Sequence, residues 1–131
     1  GWGRVEVRPV AAEKEDCFLN VMLVCDADNP APETDPDAQA RLLDSDGFTG
    51  ATLLGSAVWF PARETFVRRA VTLRLPEAAV AREWTVTGLA GGIWQVSAGG
   101  KTVLRQYVPA ESGVLRILTD GGELSLEPIR S

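Results

Sequence analysis

Carboxylates are the groups in this sequence whose number and spacing could do chemistry. The chain has 131 residues, 18 of them Asp or Glu, with two cysteines and no His. Lacking His, it has no Ser–His or Cys–His pair, no usual general base near neutral pH, and no ordinary zinc site. The acids gather in "DADNPAPETDPD" (26–37) as Asp26, Asp28, Glu33, Asp35 and Asp37, with Asp44 and Asp46 following. Calcium takes roughly six to eight oxygens from such residues. The spacing departs from a calcium loop, however: Asp26 and Asp28 fit its first two ligands, Pro30 takes the next place, and no Gly follows. Paired carboxylates could also hydrolyse a glycoside, but spacing along a chain does not set their separation. A solvated acidic loop is the favoured reading of 26–37, with no metal and no cofactor. No Gly-rich loop opens a helix to cradle a phosphate.

Other reactive types lead to structural roles. Cys17 and Cys25 lie in "EDCFLNVMLVCDAD" with no Gly or Pro between them. On one strand their Cα atoms would stand about 26 Å apart at ~3.3 Å per residue. A disulfide needs less than ~7 Å, so both are predicted to be unpaired, buried and apolar. Their neighbours Glu15, Asp16 and Asp26 are anionic, the wrong sign for a reactive thiolate. Tyr107 sits in a strand-like run and reads as a strand residue. Trp2, Trp59, Trp84 and Trp94 could stack against sugar rings if exposed. Trp59, Trp84 and Trp94 each share an alternating face with small or apolar residues (Ala57, Val86, Val96), which favours the core for these three. Carbohydrate contact is retained as the second use for Trp2, Trp59 and Trp84.

The elements that would position these residues are strands. "GRVEVRP" alternates Val5 and Val7 with charges, the pattern of a half-buried strand. Residues 17–25 place Cys17, Leu19, Val21, Leu23 and Cys25 on one face and Phe18, Asn20, Met22 and Val24 on the other. Both faces are largely apolar, so this strand is predicted to be covered on both sides. "DAQARLL" fits either a short helix or a strand. Asp46–Gly47 signals a hairpin turn, which favours strands around it. "ATLLGSAVWFP" and "TFVRRAVTLRLP" read as two strands joined by "ARE". The last third reads as hairpins: "EWTVTGL" into "GGIWQVSA", Gly99–Gly100 into "KTVLRQYV", then "VLRILT" through Asp120–Gly122 into "ELSLEP". Gly91 and Gly92 would supply unusual backbone angles before Trp94. The pattern predicts an all-β fold, an antiparallel β-sandwich of roughly eight to ten strands with little or no helix.

Composition is that of one globular domain spanning 1–131: 45% hydrophobic, 24% charged, net charge −5. No basic stripe marks a nucleic-acid partner. No apolar run approaches the ~20 residues of a membrane helix, so no membrane partner is expected, and no signal peptide is recognisable. The chain opens on Gly1 and enters a strand-like pattern at once, which reads as a fragment of a longer protein, or a processed chain.

Three stretches, in order, carry a family resemblance: "GWGRVEVRPVAAEKEDCFLNVMLVCDAD", "VTGLAGGIWQVSAGG" and "AESGVLRILTDGGELSLEP". Together they resemble the C-terminal β-sandwich region of heparinase II/III-like polysaccharide lyases. Such lyases cleave uronate-containing polysaccharides, glycosaminoglycans among them, by β-elimination. A base takes the proton α to the carboxylate and the glycosidic oxygen leaves. The resemblance implies a secreted or periplasmic parent enzyme whose catalytic Tyr, His and Asn or Arg lie upstream in a helical toroid and adjoining sheets. No catalytic residue is carried over to this chain. The expected role is a noncatalytic accessory domain that buttresses the upstream catalytic domains of the same polypeptide, in contact with polysaccharide at most. Phe18, Met22 and Val24 are expected to face another layer: a second sheet or helix of this domain, or, as an interdomain face, a neighbouring domain of the parent enzyme. The competing readings are an autonomous carbohydrate-binding module and a small hydrolase using carboxylates.

Overall fold

The computed structural model describes residues 4, 6–11, 14, 18–22, 28, 40–76, 79–120 and 122–130. Within them lie nine strands and no helix: β1 (Arg41–Ser45), β2 (Phe48–Leu53), β3 (Ser56–Pro61), β4 (Val71–Arg74), β5 (Glu83–Val86), β6 (Gly92–Ala98), β7 (Lys101–Val108), β8 (Leu115–Leu118) and β9 (Glu123–Ile129). They form two sheets, ordered β1-β2-β3-β5-β8 and β4-β9-β6-β7. Every pairing is antiparallel except β3 with β5. The fold is the expected all-β sandwich.

Alternation within the strands builds the core. In β2 and β3, Phe48, Ala57 and Trp59 point inward and are fully buried, while their neighbours along the strand are not. The opposite sheet contributes Leu73, Trp94, Val96, Leu124 and Leu126. Trp59 and Trp84 stack with ring centroids 5.7 Å apart at 26°. The indole N–H of Trp84 donates to the Ala81 carbonyl at 3.3 Å and that of Trp94 to Ala90 at 2.9 Å. The Trp59 N–H is buried with no partner, a local cost of about 1–3 kcal/mol that the burial and stacking of its ring offset.

Three strand assignments change. The span 51–61 is a hairpin: Leu54 (φ 51°) and Gly55 (φ 78°) turn it between β2 and β3. A Leu in this left-handed region is uncommon, which hides the turn from a sequence reading. Of "TFVRRAVTLRLP", only Val71–Arg74 is a strand, and Val67 makes an isolated bridge to Leu89 as the chain crosses between sheets. Third, neither 4 and 6–8 nor 18–22 belongs to a strand. Their apolar residues Val7, Phe18, Leu19, Val21 and Met22 are exposed, so the expected two-sided cover over 17–25 is absent at 18–22. Alternating sequence makes a strand only where a neighbour takes up its backbone groups, and these segments have none among the described residues. Cys17, Val24 and Cys25 lie outside the described residues.

The C-terminal third contains one true hairpin, β6–β7, turned by Gly99 and Gly100 at positive φ. The other pairs predicted as hairpins are crossings: β5 and β6 sit in different sheets, as do β8 and β9. Of Gly91 and Gly92, only Gly92 has an unusual angle (φ 138°). Gly91 serves close approach instead, since a Cβ there would stand 2.9 Å from the Ala110 Cα.

Side chains close one flank of the sandwich. The Asp46–Gly47 turn behaves as its sequence predicts, with both residues at positive φ. Asp46 then reaches the other sheet, its carboxylate accepting from the Thr72 backbone N–H at 2.8 Å and from the Arg69 guanidinium at 3.0 Å. Ser45 donates to the Thr72 carbonyl at 2.9 Å and accepts from the Arg74 N–H at 3.1 Å. The Arg69 guanidinium is held charged above its ordinary range, chiefly by its hydrogen bond to Glu64 and, against some desolvation, by Asp46. The ion pairs are half exposed and contribute little. The bond to a backbone N–H is the stronger contact, so Asp46→Ala is expected to cost about 1–2 kcal/mol. Denaturant unfolding checks this; Asp46→Asn, which keeps an acceptor and tolerates positive φ, recovers most of the loss.

Candidate functional site

The two outer faces of the sandwich differ in chemistry. An antiparallel sheet with one wet face normally carries polar residues there. The β4-β9-β6-β7 sheet largely obeys, presenting Thr72, Arg74, Gln95, Ser97 and Glu127, with Arg105 donating to the Gln95 side chain at 2.8 Å. The β1-β2-β3 region of the other sheet does not. Its outer row runs Leu42 opposite Ala51 and Ala51 opposite Val58, flanked by Leu53 and Phe60. Leu42 is 73% exposed.

The chain's own segment 19–22 lies along this apolar face. It lines, together with Ala51, Leu53, Val58 and Phe60, one groove of about 380 Å³. The segment does not hydrogen-bond as an added strand and leaves Phe18 47% and Met22 90% exposed. Leu42, Phe60, Phe18 and Met22 therefore offer an apolar surface that nothing among the described residues covers. Monomeric proteins seldom leave such contiguous apolar surface bare unless something binds it.

Of the residues singled out from the sequence, Phe18 and Met22 fall at this surface, while Val24 and Trp2 lie outside the described residues. Trp59 and Trp84 are fully buried and offer no face to a sugar ring. Tyr107 is an exposed residue of β7. Of the acidic loop, only Asp28 is described, and it is exposed. Asp46 is committed to the turn and to Thr72. Among the described residues, no three of His, Cys, Asp and Glu come together as a metal centre would require.

Sequence reasoning missed Leu42, Leu53, Val58 and Phe60. The signal was there in "AVWF" (57–60): four consecutive apolar residues in a strand must load both faces. Reading 51–61 as one strand hid which residue took which face.

Residues 42–128 match the heparinase II C-terminal domain family. No curated protein matches the chain. Two of the three resembling stretches, around Trp94 and from Ala110 to Pro128, lie inside the match, and the N-terminal one lies outside it. The match begins within β1 and ends within β9, spanning both sheets, and the chain belongs to the heparinase II C-terminal domain family.

Proposed function

We propose that this domain is the noncatalytic C-terminal part of a heparinase II/III-like polysaccharide lyase, and that it buttresses the catalytic portion of the same polypeptide. The observation that carries the reading is the apolar face around Leu42 and Phe60, continued by Phe18 and Met22, which the described residues leave largely exposed. This face adjoins residues 19–22, which precede β1 in the chain, so a domain upstream of them would reach it by connectivity. The family's description as a C-terminal domain fits an upstream neighbour. The absence of His fits a parent that keeps its acid–base groups elsewhere. In the parent, a base outside this chain would abstract the proton α to a uronate carboxylate, and the glycosidic oxygen would leave. Acting on a polysaccharide, such an enzyme would work outside the cytoplasm, secreted or periplasmic.

The test is a paired one. Met22→Lys with Leu42→Lys changes two exposed side chains, so the isolated 131-residue chain is expected to keep its stability to within about 1 kcal/mol. In the complete polypeptide the same pair is expected to release the domain, seen as a separate unfolding transition and faster proteolysis. An unchanged single transition in the complete polypeptide sinks the docking role. Polysaccharide titrating onto this face of the isolated chain would replace it with the autonomous carbohydrate-binding module.

A further inference from the structure

An edge strand offers a row of backbone N–H and C=O groups to any strand that can lie beside it. Among the described residues the two sheets end in β1, β8, β4 and β7. β1 and β4 share a flank, which Ser45 and Asp46 close by bonding to Thr72 and Arg74. β8 has four residues and an exposed arginine, Arg116, and short charged edges take up partners poorly. β7 is different. It has eight residues, and only its first part is guarded, by Lys101 and by a bulge at Val103, which has no partner on β6. The stretch Leu104–Val108 contains no Pro, Asp or Glu. Its one charge, Arg105, is drawn back over the sheet, donating to the Gln95 side chain at 2.8 Å.

Pairing within the sheet shows what this stretch presents. Trp94 stands between Gln106 on β7 and Pro128 on β9. Proline has no N–H, so the backbone bonds of Trp94 run to Gln106. Bonded and non-bonded pairs alternate along an antiparallel ladder, so the N–H and C=O groups of Arg105 and Tyr107 point away from β6, towards the edge. The side chains are open as well. Arg105 and Tyr107 are exposed on the outer face, and Gln106 is exposed although it shares the inner face with Trp94.

A strand laid against this edge must match faces, because a shift of one residue turns every side chain over. For a second β7 running antiparallel, that leaves few registers. Centring on Leu104 runs the pairing through the bulge. Centring on Arg105 sets arginine against arginine, a like-charge pair. Centring on Tyr107 pairs only three residues. Centring on Gln106 sets Gln106 against itself, Arg105 against Tyr107 twice, and Leu104 against Val108, each pair on its own face. Two glutamine amides can bond to each other, and a tyrosine ring takes a guanidinium on its face. The strand is therefore complementary to itself in one register, as a two-fold interface requires.

We propose that this protein binds a second copy of itself through the Leu104–Val108 half of β7, antiparallel and centred on Gln106, so that two four-stranded sheets join into one of eight strands. The edge belongs to the other sheet from Leu42 and Phe60 and does not depend on the docking role.

Sedimentation velocity of the 131-residue chain tests this. The expected result is a monomer–dimer equilibrium with a Kd of about 100 μM, in keeping with an interface smaller than ~1,200 Å². Tyr107→Arg sets arginine against Arg105 and is expected to weaken the dimer about tenfold or more. Adding Arg105→Glu to it sets acid against base and is expected to restore the dimer, which simple loss of the tyrosine ring would not allow. Both side chains are exposed, so an unchanged unfolding midpoint is expected and confirms that the variants are folded. Met22→Lys with Leu42→Lys leaves the dimer in place, which separates failure of the docking face from failure of this edge. The proposal is overturned if the chain stays monomeric at about 1 mM, if Tyr107→Arg dimerises as the parent chain does, or if the double variant fails to recover. Slow exchange of the Arg105 and Tyr107 amide protons in the dilute monomer overturns it too, since the chain's own backbone would then occupy the edge. So does an extended acidic peptide that binds β7 more tightly than a second copy does.

Discussion

Trp94→Ala is expected to remove about 3–5 kcal/mol of unfolding free energy, the range for emptying a large aromatic site in a core. The side chain is 1% exposed. It stands on the inner face of β6, between Gln106 on β7 and Pro128 on β9. Its indole N–H holds the Ala90 carbonyl at 2.9 Å, at the point where the chain enters β6 from the crossing after β5. Deleting the ring opens a cavity and also strands that buried carbonyl. Domains of this size have about 5–15 kcal/mol to lose, so the variant sits near the edge of folding. Urea titration reads the effect as a lower midpoint at unchanged slope. Trp94→Phe keeps most of the ring and gives up the hydrogen bond, and its loss is expected at about 1–2 kcal/mol. A loss below about 1 kcal/mol for the alanine variant would mean that this ring is not the plug of the core.

Gly50→Ala is the second large effect, and it runs the other way, by adding atoms. Gly50 faces inward on β2 directly opposite Trp59 on β3. A Cβ there would stand 1.8 Å from the Val58 carbonyl oxygen and 3.1 Å from the Trp59 Cα. These are backbone atoms of the central hairpin and cannot swing away as a side-chain tip can. Glycine inside a strand often marks such a close approach. One methyl must therefore part β2 from β3 or tilt the Trp59–Trp84 stack, at an expected cost of about 3 kcal/mol, the upper part of the range for overpacking. Thermal unfolding measures it, and the near-ultraviolet signal of the stacked tryptophans is expected to change with it. The matched control is Gly55→Asn in the β2–β3 turn. No atom lies within 4 Å of a Cβ at Gly55, and Asn tolerates its positive φ. Equal losses at the two positions would show that backbone strain, and not contact with β3, sets the cost at Gly50.

The legible parts of this fold are those where local chemistry and tertiary outcome coincide. Asp46–Gly47 and Gly99–Gly100 announce turns because few other pairs accept two successive positive φ values, and both turns are present. The alternation of Val71 with Leu73 and of Leu124 with Leu126 places each pair inward. Leu54–Gly55 went unread because leucine there pays for a conformation that the flanking strands impose. Segment 18–22 misled in the opposite sense. Its apolar residues look like a doubly covered strand, yet they lie over a sheet that is already complete.

The candidate surfaces were legible only in part. Phe18 and Met22 were visible as an apolar row without a partner. Their neighbours Leu42, Val58 and Phe60 could be assembled only by the register that sets Leu42 against Ala51 and Ala51 against Val58.

By itself, the amino-acid sequence determined the all-β class, most turn positions, the inward face of most strands and the family resemblance. Each depends on periodicity or on a residue's own backbone preference, and such information is local. Only the tertiary structure decided which strands are partners, that successive strands such as β5 and β6 part into different sheets, and which outer face stays apolar. Those outcomes follow from the packing of two twisted sheets around three buried tryptophans, an energy shared by residues far apart in the chain and carried by no single stretch of it.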